Sequence, residues 1–182
     1  GPVVVLLDES GSMQRDGRYE TASALAIACL GMAAHSKRDA CIIGFNTDIT
    51  FKMVLKGDRV SIFGSTPESG LTLEEATWRL LARHPRGGTR FSPALLAGLE
   101  FIKEQPKADI LAITDGHCNV DPDALEAVQE ARSRGMRVFG LTIGGGHFSQ
   151  AVRQVCDRVD DMDEAIQNND EARIAGAVPW RK

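Results

Sequence analysis

Residues 3–7, Val-Val-Val-Leu-Leu, are consecutive apolar side chains that run straight into Asp8. Successive side chains of a strand point to opposite faces, so an unbroken apolar run demands a strand buried on both sides. A sheet covered on both faces needs helices above and below it, and the rest of the chain supplies them. Cys41-Ile42-Ile43-Gly44-Phe45, Ile110-Leu111-Ala112-Ile113 and Met136 to Ile143 are further strands. Between them, Tyr19 to His35 is alanine-rich and apolar nearly all round, the pattern of a buried helix. Thr72 and Glu75 form a capping box for a helix to about Ala82. Ser92-Pro93 reads as the cap and first turn of a helix to Lys103, and Asp121-Pro122 opens another to Ser133, ended by Gly135. A shorter helix near Ser149 to Cys156, a short strand, and a last helix at about Met162 to Gln167 follow. Trp78 is expected in the core.

Asn46-Thr47-Asp48 is a tight turn that sends Ile49 to Leu55 back as an antiparallel strand. Lys56 to Gly70, with Gly57, Gly64, Pro67 and Gly70, reads as a long surface loop. The alternation predicts an α/β fold: a doubly wound, mostly parallel central sheet with one antiparallel edge hairpin strand and helices on both faces. Residues 1–167 are expected to form the domain, and 168–182, with Trp180, a tail leading to or cut from a larger protein.

Ligands of such sheets bind outside the carboxyl ends of the strands. Three polar groups fall there: Asp8-Glu9-Ser10-Gly11-Ser12 after the first strand, Gly87-Gly88-Thr89 before the Ser92 helix, and Thr114-Asp115-Gly116 after the Ile110 strand. Asp8, Ser10, Ser12, Thr89 and Asp115 are all hard oxygen donors, which suit Mg²⁺, with Mn²⁺ or Ca²⁺ as substitutes. If hydroxyls bind the ion directly and carboxylates act through water, the ion stays electron-poor and draws an acidic side chain from a partner. Glu9 beside them either tunes the metal or faces solvent. His117 and Cys118 have no partners at metal-ligand spacing, and Gly144-Gly145-Gly146 lacks the endings of a phosphate-binding loop.

Composition narrows the function. The balance of 21 basic against 25 acidic residues, a formal charge of −4, argues against a nucleic-acid surface, and no apolar run is long enough to span a membrane. Cys29, Cys41, Cys118 and Cys156 are scattered with no CxxC pair, as expected of reduced thiols in the cytoplasm.

The Asp8-x-Ser10-x-Ser12 set, the isolated Thr89 and the Thr114-Asp115-Gly116 step together resemble the metal-ion-dependent adhesion site of von Willebrand factor A domains. The resemblance implies Ser10, Ser12 and Thr89 as direct ligands of Mg²⁺, Asp8 and Asp115 acting mostly through water, and a non-catalytic module docking a partner's Asp or Glu. Arg86-Gly87-Gly88-Thr89 and the Gly-Pro-Val-Val-Val opening are similar to the bacterial CoxE-like and ViaA-like members. Those accompany MoxR-type AAA+ ATPases, which implies an adaptor role beside such a motor. Two alternatives remain open: a Mg²⁺-dependent phosphoryl-transfer enzyme with Asp8 as nucleophile, and an extracellular integrin-like adhesion domain.

Overall fold

A computed structural model describes residues 1–167 apart from 106, 117 and 146. The tail at 168–182, with Trp180, lies outside the described residues. The chain runs β1 (Val3–Asp8), a single 3₁₀ turn at Gly11–Gln14, α1 (Arg18–His35), β2 (Ala40–Phe45), β3 (Ile49–Lys56), β4 (Arg59–Gly64), β5 (Glu68–Leu71) and α2 (Leu73–Leu81). It continues with α3 (Phe91–Phe101), β6 (Asp109–Thr114), α4 (Pro122–Ser133), β7 (Arg137–Thr142), α5 (Gln150–Val155), β8 (Arg158–Asp161) and α6 (Met162–Gln167).

One sheet of eight strands runs in the order β5-β4-β3-β2-β1-β6-β7-β8. From β2 through β1 to β8 every neighbouring pair is parallel. β1 sits at the centre, and all its residues are buried. Val3, Val5 and Leu7 face one half of the core with α1 and α2, while Val4 and Leu6 face the other with α3, α4 and α5. The apolar run therefore serves two cores at once, which is why it cannot alternate with polar residues.

The other side of the sheet is the antiparallel edge, and it extends further than the sequence indicated. Residues 56–70 are not a loop: Gly57, at φ 63°, closes a tight turn, and β4 and β5 continue the meander begun by β3. Their signal is weak because only one face is buried, so Val60 and Ile62 point into the core while Ser61 and Phe63 point away.

Two more expectations are corrected. Arg90, not Ser92, precedes the first turn of α3; Ser92 lies inside the helix, buried, and its Oγ accepts the Asp121 amide at 2.7 Å. Trp78 is 63% exposed, with Leu81 one turn along on the same face. The Thr72 capping box is present, Thr72 Oγ1 accepting from the Glu75 amide at 3.2 Å and Glu75 accepting from the Thr72 amide at 2.8 Å.

Candidate metal centre

The sheet changes winding direction at β1. The chain leaves β1 through α1 toward β2 on one side, and β6 pairs with β1 on the other. The crevice outside the carboxyl ends of β1 and β6 is thus the switch point at which doubly wound sheets bind their ligands. Asp8 ends β1, and Thr114-Asp115 ends β6 beside it.

Asp8 is fully buried. Its Oδ1 accepts the Ser10 amide at 2.8 Å, which folds the loop back over the strand end, and its Oδ2 accepts the Thr114 hydroxyl at 2.5 Å. Both carboxylate oxygens are thereby oriented while each retains a lone pair. Burial pushes the Asp8 carboxyl above its ordinary 3.8, the hydrogen bonds from Thr114 and Ser10 oppose that shift, and the charge of Asp115 adds to it. Two buried carboxylates at adjacent strand ends repel each other, and a divalent cation relieves both.

The hydroxyl groups fit such an ion. Ser10 Oγ and Ser12 Oγ are hydrogen-bonded to each other at 3.1 Å. Adjacent corners of an octahedron with ligands at about 2.1 Å are separated by roughly 3.0 Å. Among the described residues no group of three His, Cys, Asp or Glu side chains is arranged to hold a metal.

Thr89 arrives from a distant loop held by main-chain hydrogen bonds. The Arg86 amide donates to Glu9 O at 2.7 Å and the Gly11 amide donates to Gly87 O at 2.9 Å, locking this loop onto the Asp8–Ser12 loop. On its other side, the Arg90 amide donates to Asn46 O at 2.6 Å and Asn46 Nδ2 donates to Arg86 O at 2.9 Å. Thr89 is half-buried, and among the described residues its hydroxyl has no hydrogen-bond partner. The sequence-predicted residues therefore come together as three loops at one sheet edge.

Two features were not legible beforehand. Arg18, at the start of α1, places Nη1 3.5 Å from Asp115 Oδ2. Gly144 makes room for it, since a Cβ there would overlap the guanidinium. Glu9 neither faces solvent nor joins the site. It turns away, buried, to accept Tyr19 Oη at 2.7 Å, Thr50 Oγ1 at 2.5 Å, and Arg83 Nε and Nη2 at 2.7 and 2.9 Å. Arg83 in turn stacks over Phe51 at 4.1 Å from the ring centroid. Those partners lie up to 74 residues away, with no local signal to reveal them. His117 lies outside the described residues, and Cys118 is buried.

The pattern that defines the von Willebrand factor type A domain matches residues 3–117. An uncharacterized protein of Methanocaldococcus jannaschii is 32% identical over 124 residues, covering 66% of this chain but only 25% of the relative's own length. Among solved structures, a von Willebrand factor type A protein from Catenulispora acidiphila superposes with a TM-score of 0.65 at 16% identity, over 97% of this chain and 42% of that one. Proximal thread matrix protein 1 from the mussel byssus, solved with zinc in its metal-ion-dependent adhesion motif, superposes with a TM-score of 0.59 at 13% identity, over 96% of this chain and 47% of that one. The family match spans well over half of the chain, from β1 through β6: the chain belongs to the von Willebrand factor type A domain family, whose members typically act as metal-dependent protein-interaction modules.

Proposed function

We propose that this domain holds Mg²⁺ through Ser10, Ser12 and Thr89, with Asp8 and Asp115 acting through water, and uses the ion to dock an Asp or Glu of a partner protein. The observation that carries this reading is the Ser10–Ser12 hydroxyl pair, 3.1 Å apart, beside two buried carboxylates at the switch point. Hydroxyl ligands leave the ion's charge largely unquenched, so an anionic side chain completes it. The reading carries no catalytic step: Asp8, oriented by Ser10 and Thr114, is given the role of holding metal-bound water. We place the module in the cytoplasm, supported by its free cysteines, and beside a MoxR-type AAA+ ATPase, on the strength of the Arg86-Gly87-Gly88-Thr89 stretch. Among the described residues no helix is long and apolar enough to cross a membrane.

Thermal melting of the wild type and Asp8→Ala in EDTA, Mg²⁺, Mn²⁺ and Ca²⁺ tests the site. A ligand that binds only the folded state at about 100 times its Kd adds about 2.7 kcal/mol. Mg²⁺ and Mn²⁺ are expected to raise the wild-type Tm by several degrees and to leave Asp8→Ala unmoved. No response of the wild type at millimolar Mg²⁺ defeats the proposal.

A further inference from the structure

The loops that carry the candidate ligands are bordered by arginines that pair with no acid among the described residues. Arg86 and Arg90 bracket Gly87-Gly88-Thr89, and Arg15 closes the turn that begins at Gly11. All three side chains are exposed, and none forms an ion pair with another described residue. Many other arginines of the molecule are engaged: Arg79 by Glu68, Arg83 by Glu9, Arg132 by Asp157, Arg137 by Asp109 and Arg158 by Asp160. The net charge of the chain is −4, so this basic rim is a local arrangement and not the mark of a basic protein.

Beside Arg86 lies a cavity of about 560 Å³ whose wall includes Arg79, Arg83, His84, Arg86, Asn46 and Thr50. The one acid on its wall, Glu9, is buried beneath Arg83 and fully occupied by it, by Tyr19 and by Thr50. Asp48, the exposed acid of the adjoining turn, engages its own neighbour, the Ile49 amide, at 2.7 Å. With Arg79 and Arg83 held by acids, Arg86 is the arginine of this wall that forms no ion pair among the described residues. The cavity is also tied to the metal loops, because the main chain of Arg86 bonds Glu9 on one side and Asn46 on the other.

We infer that the partner segment is acidic over several residues: one carboxylate completes the metal, and flanking Asp or Glu side chains settle against Arg86, at the wall of this cavity, and Arg90. This inference rests on metal docking and names the chemistry of the docked segment. Exposed ion pairs are individually weak, and two or three of them together strengthen binding by about five- to ten-fold.

The test is a titration of the ¹⁵N-labelled protein followed by amide chemical shifts, in Mg²⁺ and in EDTA. The probes are capped hexaglutamate, a capped Gly-Gly-Glu-Gly-Gly peptide and a single-stranded oligothymidylate. In Mg²⁺, hexaglutamate is expected to bind more tightly than the single-glutamate peptide, per carboxylate offered, by about five- to ten-fold. The Arg86→Gln/Arg90→Gln variant is expected to erase that difference without changing the affinity for the single-glutamate peptide or the Mg²⁺-induced shifts of the Ser10 and Ser12 amides. The Arg86→Lys/Arg90→Lys variant should restore it, which separates charge from fold. Equal binding of the two peptides per carboxylate, or a preference that survives neutralisation, overturns this inference and leaves metal docking standing. If Mg²⁺ shifts the Ser10 and Ser12 amides but neither peptide binds, acid docking and this inference fall together. Hexaglutamate binding that is unchanged in EDTA, or oligothymidylate binding at least as tightly, overturns it in favour of a metal-independent or phosphate-binding surface.

Discussion

Glu9 stands between two residues of the metal loop in sequence and belongs to a different network in space. Its carboxylate is only 3% exposed and takes both arms of Arg83, whose side chain is 31% exposed and stacks on Phe51. Removing one member of a buried ion pair leaves the other without compensation and costs about 3–5 kcal/mol. Water reaches Arg83, so the lower end applies, and Glu9→Gln should lose about 3 kcal/mol in urea unfolding. A loss below about 1 kcal/mol would show that the surrounding groups rearrange without it. The same variant keeps the Glu9 main chain, which accepts the Arg86 amide, so the metal-dependent rise in Tm should persist. The two adjacent carboxylates thus part ways: Asp8 faces the candidate centre, and Glu9 fastens α1, β3 and the chain beyond α2.

At the scale of elements, caps and connections decide how the loops are aimed. Thr72 is a true cap on an exposed helix end, and Thr72→Ala should lower stability by about 1 kcal/mol. Ser92→Ala should cost a similar amount for another reason, because it strands the part-buried Asp121 amide and loosens the tie between α3 and α4. Denaturant unfolding of both variants checks the pair, and a neutral Ser92→Ala would refute the tie. These elements also show what a sequence can reveal. β1 and β6 were legible because their burial on two faces confines polar residues to their ends, and the three candidate loops were marked out because each follows directly from a strand end or precedes a helix. β4 and β5 were not, since one buried face leaves only Val60 and Ile62 as signals among glycines and a proline. Ser92-Pro93 looks like a cap, yet with Phe91 buried the helix starts two residues earlier, behind Arg90. Trp78 follows the helical period but lies on the solvent side of α2, where Ala76 and Leu80 take the core.

Across the whole molecule, the candidate site samples four separate parts of the chain. Asp8 is joined to Thr114, 106 residues away, and the Asp8–Ser12 loop is joined to the Arg86–Arg90 loop, itself held by the β2–β3 turn. None of these junctions is local, and non-local contacts form only after the entropy of closing long loops has been met. An ion seated there would reward a chain that has already found its topology and offer little to one still searching. Mg²⁺ is therefore expected to slow unfolding several-fold while leaving the refolding rate nearly unchanged, as measured by stopped-flow mixing with and without EDTA. Acceleration of refolding to match would mean that the loops meet early. The hydrogen bond from Thr114 to Asp8 has a temporal meaning as well as a spatial one: it joins residues 106 apart, so a chain still lacking β6 would lack the candidate centre and, on the reading proposed, its means of holding a partner.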